Sequence, residues 1–322
     1  MVDKDTKQDL LDLVRTQCEI KNCTLLYACI TGSNSYGNAV EGSDIDVRFV
    51  FASPVTHYLG FTKMSFIDVS NNDIAGYEFL KWAELLLGNN PTVLEMLFME
   101  QESVLYRHPV LIKLFEYKQS LLSKKAHNSY MKYAAGQLYK AKSCTKEVVD
   151  QLEAYESLLQ YNEIDPYSKL TLSQSLRSEA VKYDTPFVGA DSLFVNIGAL
   201  IDAYRGFKQS KFPYSDLGAK RRKHLKKYGY DSKNVAHAFR LALTCKDIFE
   251  KNELKVCRDD AQYFLDIKTG KYSLEHLEKE FEQIKTDVDV LATLSTLPEE
   301  PDREALEAMC VSILRGILIY DE

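Results

Sequence analysis

Two aspartates, Asp44 and Asp46, follow a glycine-serine pair, Gly32-Ser33, and could together act on a phosphate group. Side chains alternate between the two faces of a strand, so both acids would point one way while Ile45 and Val47 enter an apolar layer. Like charges held side by side repel, unless a hard divalent cation lies between their oxygens. Magnesium suits such a pair, because it binds one or two carboxylates together with waters and substrate phosphates.

The Gly32-Ser33 pair comes directly after the apolar run at 25–30, where the chain must turn. A glycine lets backbone amides approach a ligand, and these amides could bind phosphate together with the Ser33 hydroxyl. The spacing fits neither a P-loop, whose lysine is missing, nor a dinucleotide fingerprint, because the acids follow too soon. A phosphate-binding turn next to metal-binding acids predicts phosphoryl or nucleotidyl transfer. A plain strand-edge pair or a capping loop is the structural alternative.

A second group of polar residues lies in the helical pattern at 232–251. At 100° per residue, Lys233, His237 and Arg240 fall within one stripe, opposite a mainly apolar side. They would contact the triphosphate or an acceptor phosphate, or else form a solvated helix face. The basic cluster from Lys220 to Lys227 likewise suits RNA binding or a plain exposed charged segment.

The patterns around these residues predict two domains. Residues 5–115 alternate between helical and strand-like segments, with a helix at 7–18 and strands at 25–30 and 45–51, which is typical of an α/β fold. Within this region Asn90-Pro91 predicts a helix start, and the only tryptophan, Trp82, is expected in the core. Later segments are helical in pattern. We therefore predict an α/β catalytic domain at 1–118 and a helical domain at 119–322.

Composition excludes several classes of protein. With 40 Lys and Arg against 47 Asp and Glu, the net charge of −7 is unlike that of a general nucleic-acid-coating protein. No apolar run is long enough to span a bilayer, and the first residues lack a signal-peptide pattern, so we expect a cytoplasmic protein without membrane contact. Seven scattered cysteines without a C-x-x-C pair predict reduced, mostly buried thiols rather than disulfides or a zinc site.

The Gly-Ser pair, followed after ten residues by Asp-x-Asp, resembles the nucleotidyltransferase superfamily of DNA polymerase beta. Later segments are similar to its predicted nucleotidyltransferase branch, which includes RNA-ligase-associated proteins of phages and bacteria. The resemblance extends over about residues 24–302. The segments that carry it are DIAGYE at 73–78, GNNPTVLEML at 88–97, KNVAHAFRL at 233–241 and LPEEP at 297–301.

The resemblance implies a small mixed sheet backed by helices, two Mg²⁺ ions with Mn²⁺ as a substitute, and transfer of a nucleoside monophosphate from a triphosphate with release of pyrophosphate. It implies that Asp44 and Asp46 bind metal and act in catalysis, together with a third carboxylate. For this third acid we favour Glu78, while Asp68 and Asp73 stay open. The residues expected to contact the nucleotide, ATP or another triphosphate, are Gly32, Ser33, Ser43, Lys233, His237 and Arg240.

The acceptor hydroxyl is left open by the sequence. The likeness to ligase-associated proteins favours an RNA end and a role in RNA repair, whereas a small molecule or a protein hydroxyl fits other branches of the superfamily. Two further hypotheses stand beside the enzyme: a catalytically inactive protein of the same fold that binds nucleotide or RNA, and a metal-dependent phosphohydrolase. Which nucleoside triphosphate is used, and the oligomeric state, are not set by motif spacing.

Overall fold

The computed structural model describes residues 2–40, 42–70, 73–161, 197–211 and 218–318. These residues form two compact units, one of residues 1–137 with 235–322 (the sheet unit) and one of residues 138–234 (the helical unit). The division differs from the predicted domains 1–118 and 119–322, because residues 235–322 belong with the sheet. Helical periodicity marks an apolar face but does not say which surface will cover it.

Five strands form the sheet of the first unit: β1 (Thr24–Thr31), β2 (Asp46–Ala52), β3 (Phe66–Asp68), β4 (Ile74–Glu78) and β5 (Val104–Arg107). Their order is β3-β4-β2-β1-β5. The β2-β4 pair is parallel and the other neighbours are antiparallel. This mixed sheet confirms the fold class that the resemblance implied.

Helices make up most of the remaining described structure. They are α1 (Lys4–Ile20), α2 (Val55–Leu59), α3 (Phe79–Leu87), α4 (Pro91–Leu97), α5 (Ile112–Glu116), α6 (Lys125–Ser143), α7 (Lys146–Tyr161), α8 (Ile197–Lys211), α9 (Ala219–Tyr228), α10 (Ser232–Lys251), α11 (Ala261–Lys268), α12 (Leu274–Leu294) and α13 (Arg303–Leu318). Among the described residues, none of these helices combines the length and apolar character needed to cross a membrane.

Helix α1 covers one face of the sheet. Its N-cap Asp3 accepts a hydrogen bond from the Thr6 amide at 2.9 Å, and its buried residues recur at spacings of three and four, as an amphipathic helix requires. They pack against Val47, Phe49 and Phe51, which alternate along β2. Because side chains alternate, Asp46 and Arg48 belong to the opposite face of the strand.

The opposite face of the sheet packs against α3 and α4. The Tyr27 hydroxyl of β1 donates to the Met96 carbonyl of α4 at 2.8 Å. As predicted, Trp82 is fully buried, and Asn90 caps α4 through the Val93 amide with Pro91 in the first turn.

The C-terminal helices return to the sheet unit. His127 of α6 contacts Asp289 of α12 at 2.6 Å, and the Cys245 thiol of α10 donates to the Ala126 carbonyl at 3.7 Å. These contacts explain why residues 235–322 fold with the sheet rather than with the helical unit.

The helical unit is built from the end of α6 with α7, α8 and α9 around its own apolar cluster. Its helical class is as predicted, and its described residues include one isolated bridge, between Thr145 and Tyr230, but no strand. All seven cysteines are free in the structure, and five of them are buried, which agrees with the expectation that the thiols are mostly buried.

Candidate active site

Gly32 lies directly against the carboxylate of Asp46. Its φ of +68° falls in the left-handed region that favours glycine. A Cβ at this position would meet the Asp46 Oδ2 atom at 2.0 Å, so any side chain would displace the acid. Two elements that are fourteen positions apart in the sequence are thus brought into contact, because β1 and β2 are antiparallel neighbours with Thr31 opposite Asp46.

The segment after β1 folds into a compact turn, which we call the glycine-serine turn (residues 32–38). Its first three residues form a 3₁₀ helix, and the Gly32 carbonyl accepts hydrogen bonds from the amides of Ser35 (3.1 Å) and Tyr36 (3.2 Å). The Asn34 side-chain amide donates to the Asp44 carbonyl at 3.0 Å. The N–H groups that open such a turn have no acceptor inside it, which leaves them able to face an anion.

Asp46 is half-buried at the start of β2, and its charge is poorly compensated. Burial raises the pKa of its carboxyl; Arg48 lowers this pKa, and the negative charges of Asp73 and Asp44 raise it again. Carboxylate oxygens are the hard ligands that a divalent cation such as Mg²⁺ prefers. In the described part of the chain no group of three or more His, Cys, Asp or Glu side chains stands together as a metal-ligand cluster.

Asp44 is exposed and precedes β2 rather than lying on it, because the strand begins at Asp46. The expected alternation nevertheless applies at its neighbours: Ile45 packs against the apolar core, and Val47 is fully buried within it. The negative charge of Asp44 contributes to the raised pKa of the Asp46 carboxyl.

Glu78 does not join these acids. It pairs with Phe51, five residues along β2 from Asp46, or about 17 Å at 3.3 Å per residue, and on the opposite face of the sheet. Its carboxylate accepts hydrogen bonds from the Tyr58 hydroxyl (2.5 Å) and from the Lys81 amide (3.1 Å), where it caps α3. The expectation that Glu78 shares a metal with Asp46 is therefore wrong in this structure, because strand register separates them.

Asp73 lies beside the start of β2, at the same end of the sheet as Asp46. The Val47 amide donates to the Asp73 carbonyl at 2.7 Å, and Arg48 Nη1 donates to the same carbonyl at 3.2 Å. Asp68 pairs with Ala75, which in turn pairs with Arg48, so it shares the Asp46 face one strand farther out. Sequence reasoning missed Arg48, although its place two residues after Asp46 puts it on the face of the acids.

Four other residues expected to contact the nucleotide differ in burial and in the unit to which they belong. They are Ser33, Ser43, Lys233 and His237. The Ser43 hydroxyl accepts from the Val40 amide at 2.9 Å and closes the loop before the acids. Lys233 is exposed in the helical unit, whereas His237 is half-buried in the sheet unit. Ser33 is half-buried in the glycine-serine turn.

Arg240 is buried, which contradicts its placement on a solvated face and removes it from open contact with phosphate. Only 4% of Arg240 and 1% of Glu95 are exposed. Arg240 Nη1 donates to Glu95 Oε1 at 2.8 Å, the Tyr36 hydroxyl donates to Glu95 Oε2 at 3.1 Å, and the guanidinium stacks 3.7 Å from the centre of the Tyr36 ring. Burial works against the Arg240 charge, but Glu95 and Tyr36 raise its pKa. Sequence reasoning missed this network, although all three residues lie in segments that it had singled out.

Three basic residues of α9 pair with acids within the helical unit. Arg221 pairs with Asp231 (Nε to Oδ2, 2.9 Å), and Arg222 pairs with Glu156 (Nη2 to Oε1, 2.9 Å). Lys226 contacts Glu153 and, at 3.7 Å, Asp150. Arg222, Lys226, Glu153 and Glu156 also border a cleft of about 730 Å³ between α7 and α9. These pairs reduce the field that a bare basic segment would offer to RNA.

A small mixed sheet with a glycine-serine turn against a strand aspartate defines the polymerase-beta-like nucleotidyltransferase class. Residues 4–163, about half of the chain, match the model of the RNA repair pathway DNA polymerase beta family, and the chain belongs to this family. It is also 23% identical over 299 residues to an uncharacterised 38.9 kDa protein from the nrdC-mobD intergenic region of Enterobacteria phage T4, covering 81% of this chain and 88% of that protein. No solved structure matches the chain.

Proposed function

We propose that the protein transfers a nucleoside monophosphate from a nucleoside triphosphate to the hydroxyl of an RNA end, with release of pyrophosphate. The observation that carries the proposal is the contact between Gly32 and the Asp46 carboxylate, which joins a turn suited to phosphate with an acid suited to a metal. Family membership supports nucleotidyl transfer, and the family's description supports RNA repair.

In this proposal Asp46 and Asp44 hold Mg²⁺ or Mn²⁺, whose chemistry would be to neutralise charge on the phosphate oxygens during transfer. Gly32 and Ser33 orient the triphosphate through backbone amides and the Ser33 hydroxyl. Asp73 replaces Glu78 as the third acid, because its charge contributes to the raised pKa of Asp46 and its carbonyl accepts a hydrogen bond from the Val47 amide of β2. Asp73 would also be placed to accept the proton of the attacking hydroxyl.

The RNA end is favoured over a small molecule by the family description and by aromatic residues on the Asp46 face. Phe66 pairs with Tyr77 across β3 and β4, and their rings meet edge to face at 5.4 Å between centroids. Phe66 is exposed and Tyr77 is half-buried. Exposed rings beside a basic side chain, here Arg48, suit the stacking of unpaired bases.

The proposal is tested by incubating the protein with each labelled triphosphate, Mg²⁺ or Mn²⁺, and a pool of RNAs with free ends. We expect pyrophosphate release and labelled RNA from the wild type, and a loss of about a thousandfold or more for Asp46→Asn. Nucleotide binding that stays unchanged in Asp46→Asn, with no turnover in the wild type, would instead indicate the non-catalytic alternative. Release of pyrophosphate or phosphate without labelled product would indicate a hydrolase.

The third acid is tested in the same assay. Asp73→Asn should lose much of the turnover, whereas Glu78→Gln should keep it, because Glu78 lies on the opposite face and its amide replacement can still cap α3. Asp68→Asn is the matched control on the same face as Asp46. Loss of turnover in Asp68→Asn but not in Asp73→Asn would move the role to Asp68.

A further inference from the structure

Three segments that are far apart in the sequence meet in the buried network of Tyr36, Glu95 and Arg240. Tyr36 belongs to the glycine-serine turn, Glu95 to α4 and Arg240 to α10; Glu95 and Arg240 are 145 positions apart. Both oxygens of the Glu95 carboxylate are occupied, one by the guanidinium and one by the tyrosine hydroxyl. The Tyr36 ring lies flat beneath the guanidinium, which adds a cation–π contact to the hydrogen bonds.

Stability alone is a poor explanation for this arrangement. Burial of an ion pair costs desolvation energy that its attraction often does not recover, and apolar residues of similar size can stabilise as well or better. The network also leaves polar atoms unused: among the described residues, neither Arg240 Nε nor the buried Tyr130 hydroxyl has a hydrogen-bond partner. What such a network does provide is one fixed geometry, because planar groups must align to satisfy it.

The geometry that it fixes is that of the glycine-serine turn. The Tyr36 amide donates to the Gly32 carbonyl at 3.2 Å, so a held Tyr36 also holds Gly32 against Asp46. A second tie acts on the same turn: Lys268 of α11 donates to the Asn38 side-chain oxygen (2.8 Å) and carbonyl (3.1 Å), while the Asn38 amide donates to the Ser33 carbonyl at 3.2 Å. Arg240 of the first tie and Lys268 of the second lie beyond the residues matched by the family model, whereas Glu95 lies within them.

We infer that Tyr36, Glu95 and Arg240 form a clamp through which the C-terminal helices fix the nucleotide-binding turn, and that Arg240 is a positioning residue rather than a phosphate contact. This inference rests on the proposed function for its kinetic consequences, but the clamp itself can be measured without turnover. Its chemical basis is that a displacement of about 1 Å of a binding group is enough to cost up to a hundredfold in rate.

The test compares Tyr36→Phe and Arg240→Lys with the wild type and with Tyr263→Phe. Tyr36→Phe removes only the hydroxyl that reaches Glu95, and Arg240→Lys keeps the charge but loses the flat stacking on Tyr36. Tyr263→Phe is the matched control, because its hydroxyl makes the same kind of bond, to Glu280 at 2.7 Å, elsewhere in the sheet unit. The measurements are amide hydrogen exchange of residues 32–38, thermal unfolding, and kcat and KM for MgATP.

We expect exchange of the amides at 32–38 to rise about tenfold in Tyr36→Phe and Arg240→Lys, the size expected for loss of one hydrogen bond to a charged group. The rest of the chain should exchange as before. The value of kcat/KM for MgATP should fall about tenfold in both variants, mainly through KM, because the acids are unchanged. Tyr263→Phe should change neither quantity.

The clamp is refuted if exchange in Tyr36→Phe rises evenly along the chain, or if it matches that of Tyr263→Phe. It is also refuted if only Arg240→Lys alters KM and its effect weakens with salt, since this would mean direct contact between Arg240 and phosphate. If the wild type releases no pyrophosphate, the proposed function fails, and local exchange at 32–38 still decides whether the clamp exists.

Discussion

One ion pair from each unit shows two different uses of charge. In the sheet unit, Arg240 and Glu95 form an ion pair whose side chains are 5% and 2% exposed, whereas in the helical unit Arg222 and Glu156 remain 21% and 34% exposed. Exposed pairs cost little to form and contribute little, because water and salt screen them. Buried pairs are costly to make and costly to break. The comparison indicates that the Arg240–Glu95 pair holds one buried geometry, whereas the Arg222–Glu156 pair joins α9 to α7 near the surface.

Breaking the buried pair should have the largest effect on stability. Glu95→Ala leaves the Arg240 charge in the interior without its partner and removes the acceptor of the Tyr36 hydroxyl, so we expect a loss of about 3–5 kcal/mol in the free energy of unfolding. Urea unfolding followed by circular dichroism measures it. Double replacement of Glu95 and Arg240 by Met should recover much of this loss, because no charge is then left unpaired. If Glu95→Ala lowered the free energy of unfolding by less than about 1 kcal/mol, the buried pair would stabilise no more than the Arg222–Glu156 pair.

The corresponding change in the helical unit should be small. Glu156→Ala removes the partner of Arg222 on α9, and we expect a loss of no more than about 1 kcal/mol that decreases further at high salt. The same unfolding experiment at low and at 1 M salt measures it. A loss as large as that of Glu95→Ala, and independent of salt, would show that the helical unit also depends on buried charge.

Removal of the Asp46 charge should stabilise the protein slightly when no metal is present. Burial and neighbouring acids raise the folded-state pKa of this carboxyl, so its ionised form is a cost at neutral pH. In chelator at pH 7, Asp46→Asn should gain less than about 1 kcal/mol, and the gain should vanish as the pH falls to the range in which carboxyls protonate. Thermal unfolding checks this, and addition of Mg²⁺ should stabilise the wild type only. Marked destabilisation of Asp46→Asn in chelator would contradict the account.

The smallest expected effect is a pH dependence of stability caused by His224 in the helical unit. Burial lowers the pKa of His224, with Lys233 adding to the shift, while its ring nitrogen contacts the Ser232 hydroxyl at 2.7 Å. A histidine with a lowered folded pKa leaves stability intact above its unfolded value of about 6.5, and stability falls as the pH drops below it. Between pH 7.5 and 5.5 the wild type should therefore lose more stability than His224→Gln, by less than about 1 kcal/mol. If the wild type and His224→Gln lost the same stability over this pH range, the folded protein would not favour the neutral form of His224.

The sequence predicted those features well that depend on residues close together in the chain. The cap at Asn90, the buried Trp82 and the alternation of Ile45 and Val47 around Asp46 all follow from neighbours within a few residues. It failed for Glu78, because an acid flanked by apolar residues gives no information on register, and register decides both the face and the end of the strand. It failed for Arg240 for a related reason: a helical stripe does not reveal that a carboxylate from another helix will cover it.

The sequence by itself determined the class of protein, because a glycine before a serine and two nearby aspartates are chemical requirements that any fold of this class must meet within a short segment. Only the tertiary structure decided which groups act together. Strand pairing brought Gly32 to Asp46 and excluded Glu78, and the return of the last helices to the sheet buried Arg240 against Tyr36 and Glu95. Contacts between residues more than a hundred positions apart depend on packing of the whole unit, which periodicity along one segment does not specify.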